Sequence, residues 1–205
     1  MAEARIARDL GRPAAGGGNA IGAEQAARRL IDAGVRALLS FGLAGGLDPA
    51  LRPGALLIPR EVLVEGERFG ADPDLLRRLG GSTVELALAD GQIADTPAIK
   101  RRLRQQSGAS AIDTESGAVA RVAQQRGVPF AVLRAICDPA ERALPPAALI
   151  ALDHAGSVRI LRVLASVTAA PSQIPALVQL AWDGAIARRA LIRRVAELRE
   201  RLAGV

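Results

Sequence analysis

Apolar and polar positions alternate with two periods along this chain. Residues 35 to 41, "VRALLSF", are mostly apolar and read as a buried strand. The run "ALLIPREVLV", residues 55 to 64, reads as extended, with Pro59 suggesting a bulge or an edge. "VELALA", residues 84 to 89, predicts a further strand, and "ASAID" a short one. The fullest strand signal is "VPFAVLRAI", bounded by Gly127 and Asp138. Between these lie helical patterns. "AEQAARRLIDAG" reads as a helix ending at Gly34. Thr96 as N-cap and Pro97 at the first helical position open a helix that carries "AIKRRLRQQ" and stops near Gly108. "SGAVARVAQQRG" puts Val119, Val122 and Ala123 on one helix face. A long last helix, about residues 173–202, carries Leu177, Ala181, Leu191, Val195, Leu198 and Leu202 at helical spacing. Its flank is basic, with Arg188, Arg189, Arg193, Arg194, Arg199 and Arg201. The opening "EARIARDLGRP" is polar and helix-prone, "AAGGGNAIG" is a glycine loop, and "DPAERALPPAAL" and "TAAPSQIP" read as loops. Strands alternating with helices predict one α/β domain over residues 1–205, its sheet covered on both faces.

Composition narrows the picture. The 205 residues suffice for one domain with a sizeable core. Half are hydrophobic, yet only three Phe and one Trp are aromatic, so Ala, Val, Leu and Ile must build the interior. The 27 basic and 21 acidic residues give a formal charge of +6, and all but one of the basic residues are Arg. No basic stripe is interleaved with aromatics, which argues against nucleic acid as a partner. One cysteine, Cys137, excludes an internal disulfide framework and fits a reducing, cytoplasmic setting. One histidine, His154, argues against a multi-histidine metal centre, so no metal is expected. "MAEARIARDLGR" has no apolar core of a signal peptide, and no apolar run reaches the length of a membrane span.

Three features fall at predicted strand ends, where α/β sheets usually bind ligands. The first is "FGLAGGLDP" after strand 35 to 41. Its glycines let backbone N–H groups approach a ligand oxygen, or simply make a tight turn. It is neither a Walker loop nor a G-x-G-x-x-G motif. The second is "IDTESGA". A carboxylate there can accept two hydroxyl hydrogen bonds, as ribose binding requires. Alternatively Asp113, Thr114 or Ser116 caps the next helix and Glu115 complements its positive end. The third is "LRAICDPAERALPP". A buried strand delivers Asp138 to its carboxyl end, where burial would raise the pKa and let it donate a proton. The bland reading is a turn aspartate before Pro139. Arg134, four residues upstream, shares Asp138's side of the strand, so an internal ion pair between them is a further expectation. Cys137 reads as a small buried residue rather than a nucleophile, and His154 as a surface or satisfied histidine.

Taken in order, "SFGLAGGLDPALRPGALLIP", "AIDTESGAVARVA" and "VPFAVLRAICDPA" resemble the nucleoside phosphorylase superfamily. The pattern is similar to the methylthioadenosine/adenosylhomocysteine nucleosidases. It looks closest to hopanoid-associated phosphorylases, through "SFGLAGGLDPALRPG", "CDPAERALPPAAL" and "PSQIPALVQLA". The resemblance implies a three-layer α/β fold with a mixed, partly barrel-like sheet and cleavage of the bond between ribose and a base. It implies that Glu115 binds ribose hydroxyls beside Thr114, and that Ala44, Gly45 and Gly46 border the ribose and the nucleophile. Asp138 would protonate or hydrogen-bond N7 of the leaving purine. Glu3 would orient an attacking water, and Arg5 would instead help a phosphate. No cofactor is implied beyond inorganic phosphate as a co-substrate. The substrate implied is an adenosyl-linked hopanoid, giving adenine and a ribosyl- or phosphoribosyl-hopane. The alternatives are a soluble nucleoside of the methylthioadenosine type or a non-catalytic relative. A homo-oligomer is expected, and the basic last helix suggests peripheral membrane contact. Three positions depart from the pattern. Thr114 stands for Met, Leu43 for a hydroxyl residue, and Cys137 for Ser. The family's opening strand, roughly ten residues ending in Gly, is not visible before "EARIA", so a late start or a truncation is expected.

Overall fold

The computed structural model describes residues 2–89, 93–151 and 170–203. α1 (Ala2–Ile6) runs into a 3-10 turn over Ala7–Asp9. After the glycine segment, Asn19 caps α2 (Ala20–Asp32), its side chain accepting from the Gly22 N–H. β1 (Leu38–Gly46) buries every second residue. The strand therefore runs on through Gly42–Gly46, which corrects the expectation of a glycine loop after Phe41. The reason is pairing: Gly42 to Gly45 have ladder partners on β7 and Gly45 and Gly46 on β6, so the segment continues as strand. A Cβ at Gly45 would stand 3.4 Å from Ile112 Cγ2, so glycine lets the neighbouring strand close in.

The extended run at 55 to 64 is split by Pro59 into β2 (Leu56–Leu57) and β3 (Pro59–Val64). Proline lacks an N–H, and the run changes partners at that point. Glu65 and Gly66, at φ 50° and 85°, turn it into β4 (Glu67–Gly70), a hairpin the hydrophobic pattern did not reveal. Asp72 caps α3 (Pro73–Arg78), and β5 (Val84–Leu88) follows. Thr96 caps α4 (Pro97–Ser107) by accepting from the Ile99 N–H, and Gly108 ends it at φ 72°. Next come β6 (Ala111–Ile112), α5 (Ser116–Arg126) closed by Gly127, and β7 (Phe130–Asp138). α6 (Pro146–Ala151) forms within the segment read as a proline-rich loop. A 3-10 turn at Pro171–Gln173 leads into α7 (Ile174–Ala203). His154 lies outside the described residues.

The seven strands form one mixed sheet in the order β2-β7-β1-β6-β5-β3-β4. β1 and β7 are parallel, from Leu38 opposite Phe130 to Ala44 opposite Ile136; a bulge then brings Gly45 opposite Asp138. β6 is antiparallel to β1 and parallel to β5. Helices cover both faces. One core layer joins Ala27 of α2 and Ala120, Val122 and Ala123 of α5 to Val62, Phe69, Phe130 and Val132. The opposite layer joins Ala187, Leu191 and Leu198 of α7 to Ala131, Leu133 and Ala135. α4 closes a third cluster through Leu103, packed with Leu86, Leu88 and Ile112. Among the described residues, no helix is long and apolar enough to cross a membrane.

Candidate active site

The antiparallel approach of β6 decides where its following residues go. Ile112 sits opposite Gly45, so Asp113, Thr114 and Glu115 turn back along β1 towards Ser40. Asp113 Oδ1 accepts from the N–H groups of Glu115 (2.8 Å) and Ser116 (2.7 Å), supplying acceptors to the first turn of α5. Its other oxygen stands 3.3 Å from Arg134 Nε. Arg134, 3% exposed, is the hub of this cluster. It donates to Ser116 Oγ (3.1 Å), Leu43 O (2.9 Å), Ser40 Oγ (2.8 Å) and Glu115 Oε2 (3.2 Å). The planar fork of a guanidinium suits such a spread of acceptors. The expected Arg134–Asp138 ion pair is thus corrected. The bulge before Asp138 turns its side chain to the strand face opposite Arg134, as their β1 partners Gly45 and Gly42, three residues apart, show, and nearer carboxylates claim the arginine.

Glu115 Oε1 accepts from the Gly18 N–H at 3.0 Å, and Thr114 Oγ1 donates to Gly18 O at 3.1 Å. The glycine segment before α2 is therefore clasped onto the end of β6. A Cβ on Gly16 would stand 2.7 Å from Glu115 Oε1 and 3.0 Å from Ala23 Cα, so a side chain there would displace the carboxylate from this clasp.

Asp138 ends β7 in a second polar cluster. Lys100 Nζ, reaching from α4, donates to Asp138 Oδ2 (2.7 Å), Pro139 O (2.8 Å) and Arg142 O (2.9 Å). Asp138 Oδ1 is buried without a hydrogen-bond partner among the described residues. Burial pushes the Asp138 carboxyl above its ordinary value, opposed by the Lys100 and Arg142 charges. The Cys137 thiol is pushed up to about 11, first by burial and then by the Asp138 charge. It faces the α7 side, an inert setting for a nucleophile.

The remaining expected site residues divide between these clusters and the α7 layer. Gly45 lies 3.7 Å from Asp138 Oδ2, measured from an added Cβ. A Cβ on Gly46 would meet Ile136 and Pro139 at 3.4 Å each, and Ala44 is buried opposite Ile136. On the same strand a Cβ on Gly42 would stand 3.0 Å from Arg134 Nη1, so glycine leaves room for the guanidinium. Glu3 pairs instead with Arg188 Nε of α7 at 3.2 Å. Arg5 is exposed on α1. Three groups carry no motif in the sequence: Ser40, Gly18 and Lys100. The last had one legible signal, as the chain's lone lysine among 27 cations.

Chemically, the arrangement offers a buried carboxyl with one unpartnered oxygen at the end of β7, a second carboxylate after β6, and the small residues Gly42, Ala44, Gly45 and Gly46 of β1 on the strand between them. Among the described residues no cluster of His, Cys, Asp and Glu suits a metal ion.

The chain matches the sequence profile of the phosphorylase superfamily over residues 13–74 and 64–167. No curated protein sequence matches it. Among solved structures, it is similar to a putative methylthioadenosine nucleosidase from Weissella paramesenteroides, at 21% identity and TM-score 0.59, covering 86% of this chain and 76% of that one. It is similar to futalosine hydrolase from Helicobacter pylori, at 18% identity and TM-score 0.57, covering 87% and 76%. A putative 5′-methylthioadenosine/S-adenosylhomocysteine nucleosidase from Borrelia burgdorferi, solved with adenine bound, is 19% identical with TM-score 0.54. That match covers 60% of this chain, which spans only 65% of the Borrelia protein.

Proposed function

Because the chain belongs to the phosphorylase superfamily, a superfamily of enzymes, we propose that it cleaves the N-glycosidic bond of an adenine nucleoside. The observation that carries this reading is Asp138, buried at the end of β7 with Oδ1 unpartnered among the described residues, one strand away across β1 from the Glu115 cluster that follows β6. Departure of a purine leaves an oxocarbenium-like sugar and a base that needs a proton. Asp138 supplies the proton to N7, and Glu115 accepts the ribose hydroxyls and sets negative charge near the sugar. Thr114, through its hold on Gly18, shapes the ribose end, and Ala44, Gly45 and Gly46 line the floor. Glu3 and Arg5, in the α1–α7 layer, belong to the nucleophile side of this reading: Glu3 for a water, Arg5 for a phosphate.

A soluble nucleoside of the methylthioadenosine type is the first substrate reading, supported by the names of the similar structures. A second reading, an adenosyl-linked hopanoid, draws on α7. Val178, Trp182 and Ile192 are exposed there beside Arg189 and Arg193, which have no ion-pair partner among the described residues. That face suits a lipid-linked substrate at an anionic membrane surface, or a second copy of the chain in a homo-oligomer. Adenine release from methylthioadenosine and from adenosylhopane, each with and without inorganic phosphate, is the test. Phosphate-independent release marks water as the nucleophile. Faster turnover of the soluble nucleoside removes the hopanoid reading, and no adenine from either removes the enzymatic one.

A further inference from the structure

The single lysine of this chain is 0% exposed. Its own helix carries Arg101 and Arg102 exposed to solvent and Arg104 half-buried, so arginine serves α4 wherever water is near. At the one buried cationic position stands an ammonium, a compact charge with three donors. All three are used: one on Asp138 Oδ2, two on the backbone carbonyls of Pro139 and Arg142, in the loop that follows β7. A buried carboxylate is usually surrounded by donors. Here only one oxygen is. The other is buried, unpartnered among the described residues, and Gly45 presents no side chain to the carboxylate.

We propose that Lys100 is the positioning residue of the leaving-group acid: it clamps Asp138 Oδ2 and the loop behind it so that Oδ1 faces N7 of the purine. This rests on the reading of Asp138 as the acid. In the step itself, the proton on Oδ1 passes to N7 while the C1′–N9 electron pair moves onto the base. Asp138 is left as a buried carboxylate. Burial alone would make that charge costly and the acid reluctant. The ammonium 2.7 Å away stabilises the carboxylate as it forms. The other charges bearing on Asp138 are few. Arg142 acts from the following loop, and the neighbouring Cys137 keeps its proton to about pH 11. Arg134 points to the opposite strand face and is engaged there by Asp113 and Glu115.

The test compares wild type with Lys100→Gln and Lys100→Met. The Asp138 carboxyl is followed by 13C NMR, its signal identified by its loss in Asp138→Asn. Without the ammonium, burial acts unopposed by it, so Asp138 should titrate at higher pH in both variants. Adenine release from methylthioadenosine should fall at least about ten-fold in kcat, with little change in KM. The alkaline limb of the kcat profile should move to higher pH, because the acid now holds its proton longer. A merely structural lysine would lower kcat and leave that limb in place; this outcome, or an unmoved Asp138 titration, overturns the proposal. If Asp138→Asn keeps near-normal turnover, the acid assignment fails instead, and the carboxyl titration still judges the clamp. Should neither lysine variant fold, 15N labelling of the sole lysine in wild type decides. Its ammonium signal must respond as Asp138 titrates, and an indifferent signal overturns the clamp.

Discussion

Replacing Arg134 by Met should be among the most damaging single changes in this protein. Arg134 donates to Ser40, Leu43, Glu115 and Ser116, and lies 3.3 Å from Asp113. Methionine fills much of the volume, so the loss is one of charge and hydrogen bonds rather than of packing. Asp113 would keep its two amide donors, but Leu43 O would lose the guanidinium and Glu115 Oε2 its cation. The side chain of Asp113 is 2% exposed, so water cannot replace what is removed. Breaking a buried pair from one side costs about 3–5 kcal/mol, which for a chain of this length corresponds to a Tm lower by roughly 6–20 °C. Urea unfolding followed by circular dichroism, with thermal melts alongside, measures it. Arg134→Lys keeps the charge but not the fork and should recover only part of the loss. A destabilisation below about 1 kcal/mol would match a solvent-exposed pair and refute the reasoning.

Three further changes probe other parts of the account. Gly117→Ala would put a Cβ 2.5 Å from Ala89 O and 2.8 Å from Val64 Cγ2, so overpacking of about 1–3 kcal/mol should outweigh alanine's helix preference; an unchanged or raised Tm contradicts it. The Cys137 thiol, ordinarily near 9.0, is pushed up to about 11 in the fold, so its contribution to stability is present below pH 9 and lost as pH rises through about 11. Wild type, under reducing conditions, should lose stability relative to Cys137→Ala across that window, and a constant difference contradicts it. Thr114→Val removes the hydroxyl that holds Gly18 O, at a cost of about 0.5–1.5 kcal/mol. The Gly18 amide should then exchange with deuterium faster, and unchanged protection would show that the clasp does not depend on Thr114.

Local chemistry was the legible part of this sequence. Thr96 with Pro97, Gly108 and Gly127 mark helix ends because caps depend on neighbouring residues alone. The apolar run of β7 also declares itself, since a strand buried on both faces needs no alternation. Strand period alone puts Arg134 and Asp138 on one side, and the bulge before Asp138, invisible in the sequence, turns Asp138 to the other. What was hidden depends on partners distant in sequence. Gly42–Gly46 look like a loop until β6 and β7 are seen to flank them. Pro59 divides a run whose halves pair with different strands. Arg134 is claimed by Asp113 and Glu115 because β6 runs antiparallel to β1, a fact no local pattern carries. Lys100 reaches Asp138 across 38 positions, and only its uniqueness among the cations hinted at it.

The central claim is that Asp138 and Glu115 act on opposite ends of one nucleoside. It is tested most directly by single-turnover adenine release from methylthioadenosine in wild type, Asp138→Asn and Glu115→Gln, with circular dichroism confirming that each variant is folded. The account predicts a fall of about 100-fold or more for each variant, the Asp138 loss lying in the chemical step and the Glu115 loss shared with nucleoside binding. Near-normal release by both folded variants would contradict it.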